Sequence, residues 1–160
     1  MSFRDIVDRA GSFKALFEGM RASGADVEKE AQDAFENDRI FRYIGFKVEK
    51  VDSGFVQLRF PLSENITRWG GIVHGGAIMT ALDNACGLAV MTVNPGKNQV
   101  TMELKVNFLE QLANGPFHVQ GRVIRAGRTA IVAEGEIKDS KGTLCAKGIG
   151  TWLILNSSGP

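Results

Sequence analysis

Cysteine is scarce in this sequence. Cys86 and Cys145 are the only two, and they lie far apart. They make neither a disulfide framework nor a metal-type spacing, which fits a reduced compartment and two buried thiols. No cluster of metal-ligating residues is present, so no metal is expected. An excess of charge is missing too. Nineteen Lys and Arg against eighteen Asp and Glu leave a net charge of +1, and nothing global marks a nucleic-acid partner or an anionic membrane. The longest apolar stretch, Ala77 to Val93, is broken by Asp83 and Asn84; it falls short of the ~20 residues a membrane helix needs. The opening Met1-Ser2-Phe3-Arg4-Asp5 carries an acid and no continuous apolar core, unlike a secretory signal. A cytoplasmic protein is therefore expected. Repeats, low-complexity tracts and a DNA-binding module are absent as well. What remains is ordinary: 160 residues, 44% hydrophobic and 23% charged, enough for one domain with its own core.

Periodicity divides the chain. Residues 1–41 read as a helical extension. Phe13, Leu16, Phe17 and Met20 fall at i, i+3, i+4 and i+7 on one helical face, and Ser23-Gly24 breaks the pattern. Ala25 to Phe41, rich in Glu, Lys and Ala, predicts a second helix. Neither helix buries much alone, so both are expected to lean on the main domain or on a partner subunit. Residues 42–156 read as that main domain. From Phe46 the period becomes two, with Phe46 and Val48 alternating against Lys47 and Glu49. Asp52-Ser53-Gly54 is a hairpin signal, and Val56, Leu58 and Phe60 alternate on the return to Pro61. A loop from Leu62 to Val73 leads into a helix predicted from His74-Gly75-Gly76 to about Val93, stopped by Asn94-Pro95-Gly96. This helix is apolar nearly all round, the pattern of a central, buried helix. Val100 to Phe108, Phe117 to Ala126, Ala130 to Ile137 and Leu144 to Leu155 predict a meander of four more strands. The tail Asn156 to Pro160 reads as disordered. The order describes an α+β domain, an antiparallel sheet of five or six strands wrapped around one long helix.

The chemistry concentrates at that helix. Gly70-Gly71-Ile72-Val73-His74-Gly75-Gly76 places glycines where bare backbone can approach a ligand. The first N–H groups of a helix lack intrahelical partners and carry the positive end of the dipole. They suit a carbonyl oxygen that becomes negative during acyl transfer, where each donor lowers the barrier by roughly 3–4 kcal/mol. The same glycines could instead serve tight packing of the helix start. Asp83 adds weight to the catalytic reading: an acid inside an apolar helix is functional or paired, with Asn84 or a lysine as candidate partners. His74 and Asp83 stand nine residues apart, or ~13.5 Å along one helix. One thioester carbon cannot meet both ends in one chain. Two antiparallel helices from two subunits bring Gly75 of one chain to Asp83 of the other, so a shared site demands at least a two-fold dimer.

Gly71-x-Val73-His74-Gly75-Gly76, with Asp83 nine residues past the histidine, resembles the PaaI-like branch of the hotdog-fold acyl-coenzyme A thioesterases, within the 4-hydroxybenzoyl-coenzyme A thioesterase superfamily. The resemblance continues through Thr101-Met102-Glu103-Leu104 and Gly127-Arg128-Thr129 and covers about Asn37 to Leu155. It implies a hotdog fold and hydrolysis of an acyl-coenzyme A without a cofactor, coenzyme A being part of the substrate. It implies that the Gly75 amide, with Gly76 beside it, polarises the thioester carbonyl. Asp83 of the facing subunit would activate or orient water, His74 would organise the loop, and Thr101 would hold the water or Asp83. It also implies a homodimer at the site and often a homotetramer. One position departs from the family. Six residues before the histidine, where Asn or Gln is usual, stands Arg68; the nearest asparagine is Asn65. Either Arg68 faces the acyl carbonyl or Asn65 reaches in. Arg125 and Arg128, around a turn, are candidates for coenzyme A phosphates. Two competing readings remain, a hotdog dehydratase and a non-catalytic acyl-coenzyme A binder.

Overall fold

The computed structural model describes residues 3–156; the tail expected to be disordered lies, beyond Asn156, outside them. Four helices come first: α1 (Phe3–Ala10), α2 (Phe13–Ala22), α3 (Val27–Phe35) and α4 (Arg39–Ile44). The hairpin β1 (Lys47–Asp52) and β2 (Phe55–Phe60) follows, then the long helix α5 (Gly75–Met91) and strands β3 (Asn98–Phe108), β4 (Phe117–Ala126), β5 (Ala130–Lys138) and β6 (Leu144–Leu155). All strands pair antiparallel in one six-stranded sheet, in the order β1-β2-β4-β5-β6-β3.

The sheet wraps α5, and glycine lets it do so closely. Gly121, Gly135 and Gly148 are cross-strand partners on β4, β5 and β6. A Cβ on Gly121 would run into the Ala85 carbonyl, and one on Gly135 would lie 2.7 Å from Cys86 Sγ. These three positions form a trough that receives α5, its backbone at Gly121 and its Cys86 and Leu82 side chains at Gly135 and Gly148. Leu82, Ala85 and Ala89 of the helix are fully buried, as are Leu58, Phe117 and Val119 of the sheet; each large side chain so buried contributes roughly 1.5–3 kcal/mol.

Three expectations are corrected. The region from Ala25 to Phe41 is two helices, because Asp38 caps a new one: its Oδ1 accepts from the N–H groups of Ile40 and Phe41 at 2.9 and 3.0 Å. The last four strands are not a simple meander. β3 crosses to the far edge and pairs with β6, leaving β4 to pair with β2. Finally, α5 is not buried all round. Gly76, Met79, Thr80, Asp83 and Gly87 form a stripe that is exposed or half-buried.

The extension joins the main core. α4 runs across residues 41 and 42, and Phe35, Phe41, Phe46, Phe60 and Phe117 stack in sequence at 5.1–5.8 Å between ring centroids. α3 lies along the edge strand β1. Its Glu28 and Gln32 side chains accept from the N–H groups of Val51 and Val48 at 2.9 and 2.8 Å, satisfying part of that edge. Among the described residues, nothing covers the opposite edge, β3, in this way. Its apolar alternation is real but points largely outward: Val100, Met102 and Phe108 are exposed, Met102 at 61%. Among the described residues, no helix is long and apolar enough to cross a membrane.

Candidate active site

His74 caps α5. Its extended backbone (φ −66°, ψ 140°) turns the ring over the first turn, where Nδ1 accepts from the Gly76 N–H at 2.9 Å. A neutral His74 therefore carries its proton on Nε2. Gly76 is glycine for this ring: an added Cβ would stand 3.1 Å from Nδ1. The His74 carbonyl takes the N–H groups of Ala77 and Ile78 at 2.9 and 3.1 Å. Of the first-turn donors, the Gly75 N–H alone has no acceptor among the described residues. It is left at the positive end of the helix dipole, as an oxyanion donor must be.

Asp83 stands two turns further on, half-buried on the open stripe. Its partner is neither Asn84 nor a lysine. The Thr101 hydroxyl donates to Asp83 Oδ1 at 2.9 Å across the gap from β3, while Asn84 Nδ2 donates back to the Thr80 carbonyl at 2.9 Å. Oδ2 has no protein partner among the described residues. Beneath lies Cys86, fully buried; burial first, then the charges of Asp83 and Glu134, push its thiol up to about 12. Such a thiol is not a nucleophile at neutral pH.

Two clefts flank the start of α5. One, of about 400 Å³, is lined by Arg68, Gly75, Phe108, Glu110 and Gln111. The other, of about 300 Å³, is lined by Tyr43, Asn65, His74, Gly76 and Thr80. The two candidates for the family's amide position thus stand on opposite sides. Arg68 shares the Gly75 cleft; among the described residues its guanidinium makes only a long 3.5 Å contact to the Trp69 carbonyl. Asn65 lies in the other cleft, its carbonyl accepting from the Tyr43 hydroxyl at 3.0 Å. Arg128 is far from both: it is exposed at the β4–β5 turn, at the end of the sheet where Thr101 pairs with Trp152 and Trp152 with Ile131. In one chain, then, Gly75 and Arg68 line one cleft, Asp83 and Thr101 are joined elsewhere, and Arg128 stands apart at the β4–β5 turn.

Some site residues gave no sequence signal. Glu110 and Gln111 follow β3 and close the Gly75 cleft only because β3 crosses to the far edge. Trp69 stands 97% exposed at the tip of the loop, before Gly70 and Gly71 at φ +100° and +76°; its glycine neighbours could have drawn attention to it. A third hollow, of about 330 Å³, lies among Gln57, His118, Glu136 and Lys138 on the sheet face turned from α5. Polar groups there are paired within the chain, Glu49 hydrogen-bonded with His118 and Glu136 ion-paired with Lys138, both at 2.9 Å. Among the described residues, no three His, Cys, Asp or Glu side chains gather as a metal site.

A six-stranded antiparallel sheet wrapped around one long helix is the hotdog fold. The chain belongs to the thioesterase superfamily, whose model matches residues 70–146. It is similar to a Saccharolobus solfataricus protein that carries the provisional name of esterase, with 46% identity over 82% of this chain and 95% of that one. It is 25% identical to the Escherichia coli medium/long-chain acyl-CoA thioesterase YigI over 71% of this chain and 83% of that protein. The crystal structure of a thioesterase family protein from Silicibacter pomeroyi superposes with a TM-score of 0.74 and 27% identity, covering 81% of this chain and 98% of that one.

Proposed function

We propose that the protein hydrolyses acyl-coenzyme A thioesters at two equivalent sites, each shared between two copies of the chain. The observation that carries this reading is the separation of two half-sites on one rigid helix. The free Gly75 N–H and the Thr101-held Asp83 stand eight residues apart, about 12 Å along the axis. A single thioester carbonyl needs both within hydrogen-bonding reach of its reacting atoms. Two α5 helices packed antiparallel along their open stripes supply them. The bare β3 edge and its exposed Val100, Met102 and Phe108 support the same packing, which makes the dimer the minimum assembly.

The chemistry follows from the groups. The thioester oxygen accepts the Gly75 N–H, and the helix dipole favours charge there. Asp83 of the partner subunit takes a proton from water, and the hydroxide formed attacks the carbonyl carbon. The tetrahedral intermediate collapses by breaking the carbon–sulfur bond. The thiolate then recovers the proton from Asp83, leaving free acid and coenzyme A. His74 holds the helix start. Arg68, in the Gly75 cleft, faces the developing oxyanion, and Arg128 takes a phosphate of the coenzyme A tail. No metal or cofactor enters, and two reduced, buried thiols suit a cytoplasmic setting.

The engagement of His74 Nδ1 by Gly76 favours an orienting histidine over the acid–base histidine a dehydratase needs, and a pure binder gains nothing from Asp83. The test is a panel of acetyl-, hexanoyl-, dodecanoyl- and benzoyl-coenzyme A, with free thiol followed in the presence and absence of a chelator. Thiol release unaffected by the chelator is expected. Binding of every thioester without release would establish the non-catalytic reading instead.

A further inference from the structure

The two clefts at the start of α5 differ in chemistry. The Gly75 cleft has polar walls, with Arg68, Glu110 and Gln111 around the free N–H. The other is walled by Ile40, Tyr43, Ile44, Ile66 and Ala77, and reaches Thr80 on the open stripe. Thr80 is one turn before Asp83. A thioester whose carbonyl sits at the helix start has two arms of unlike polarity, an apolar acyl chain and an amide-rich pantetheine. Each cleft matches one of them.

Resting on the thioesterase reading above, we infer that the acyl chain lies in the cleft against α4, and that Ile40 and Tyr43 of α4 set the chain length accepted. Three observations converge. Ile40 and Tyr43 are large apolar residues left 45% and 54% exposed, on a helix whose other face carries the fully packed Phe41 and Ile44. Tyr43 is held by its hydroxyl, which donates to the Asn65 carbonyl at 3.0 Å; this fixes the ring as a wall. The cleft, at about 300 Å³, stands at the lower end of the ~300–1,000 Å³ typical of small-molecule pockets, so a side chain added there meets the ligand. α4 lies outside residues 70–146, the part matched to the superfamily. Acyl selectivity in this chain is thus assigned to α4, and the reaction to the shared helix.

The experiment compares kcat/KM for dodecanoyl- and hexanoyl-coenzyme A in wild type, Ile40→Trp, Ile40→Ala and Ile124→Trp. Ile124 is exposed on β4, outside both clefts. The ratio of long to short chain should fall at least tenfold in Ile40→Trp and rise in Ile40→Ala; about tenfold is what a hydrophobic pocket gives for one methylene. Ile124→Trp should leave the ratio as in wild type. Using a ratio removes any general loss of active protein, and the two Ile40 variants shift in opposite directions, which a folding defect cannot do. An unchanged ratio in both Ile40 variants of an enzyme that hydrolyses the panel overturns this assignment and leaves hydrolysis standing. Absence of hydrolysis by wild type overturns both.

Discussion

Asp83 accepts from Thr101 Oγ1 through one oxygen only, so a substitution that keeps this bond and removes the charge separates chemistry from architecture. Asparagine does so: its amide oxygen can still accept from Thr101, but it cannot take a proton from water. Asp83→Asn should lower kcat by roughly 100- to 10,000-fold, the usual range for a general base. Its melting temperature should stay within about 2–4 °C of wild type, the shift that ~1 kcal/mol produces in a chain of this size. Thiol release at near wild-type rate by the folded variant would remove Asp83 from the mechanism. Asp83 stood out in the sequence as a lone carboxylate inside an apolar helix; the structure sets it half-buried on the open stripe, with Thr101 rather than Asn84 or a lysine as its partner. Thr101 was reached only through resemblance, since nothing in an exposed strand threonine tells which helix residue it will meet. Gly76 was legible as part of the motif but not for its observed geometry. The glycine leaves room for the His74 ring, and its N–H is already taken by that ring.

At the level of elements, period-two alternation located every strand to within a few residues, because the hydrophobic face of a sheet repeats locally. Pairing order was not legible, since alternation says which face a residue takes and not which strand lies beside it. β1 shows a smaller limit. The pairing register shifts between Val48 and Lys50, so the next inward residue is Val51 rather than Lys50. The glycine trough was missed although its signal was present: glycine inside a strand marks a bulge or a close approach of backbone. Gly121 is the most constrained of the three. A Cβ there meets the Ala85 carbonyl of α5, and backbone cannot rotate aside as a side chain can. Gly121→Ala should therefore destabilise the protein by about 3 kcal/mol, near the top of the ~1–3 kcal/mol range for overpacking. Gly19→Ala is the matching control. Gly19 is exposed in α2 with open space where its Cβ would go, and replacing helical glycine by alanine gains about 0.5–1 kcal/mol. Urea unfolding of both variants measures the contrast; equal stability for the two would mean that α5 does not rest on the trough.

The two edges of the sheet are unlike, and this asymmetry decides what the whole molecule needs. β1 is covered from within the chain by Glu28 and Gln32 of α3. β3 is bare, with exposed apolar side chains beside the open stripe of α5. The nine-residue spacing of His74 and Asp83 raised the expectation of a dimer, but nothing in the sequence marked β3 as an exposed edge. The apolar alternation of β3 looked like an ordinary buried strand. The test of a shared site uses two dead proteins. Asp83→Ala removes the base. Gly75→Pro removes the free N–H while preserving the fold, for three reasons visible in the structure. Gly75 is the first helical residue, where proline is favoured. His74 already has the extended backbone (φ −66°, ψ 140°) that a residue before proline adopts. A Cβ at Gly75 meets only Phe108 side-chain atoms, at ordinary contact distances of 3.6 and 3.7 Å. Each homodimer has two damaged sites. A mixed dimer has one site lacking both groups and one site with both intact. If the subunits are unfolded, mixed in equal amounts and refolded together, half of the dimers should be mixed, each with one of two sites active. Recovery should approach about one quarter of wild-type thiol release, by the statistics of random pairing in a two-fold dimer. Mixed dimers that form, as shown by pull-down through a tag on one partner, yet remain inactive would overturn the site shared between two chains.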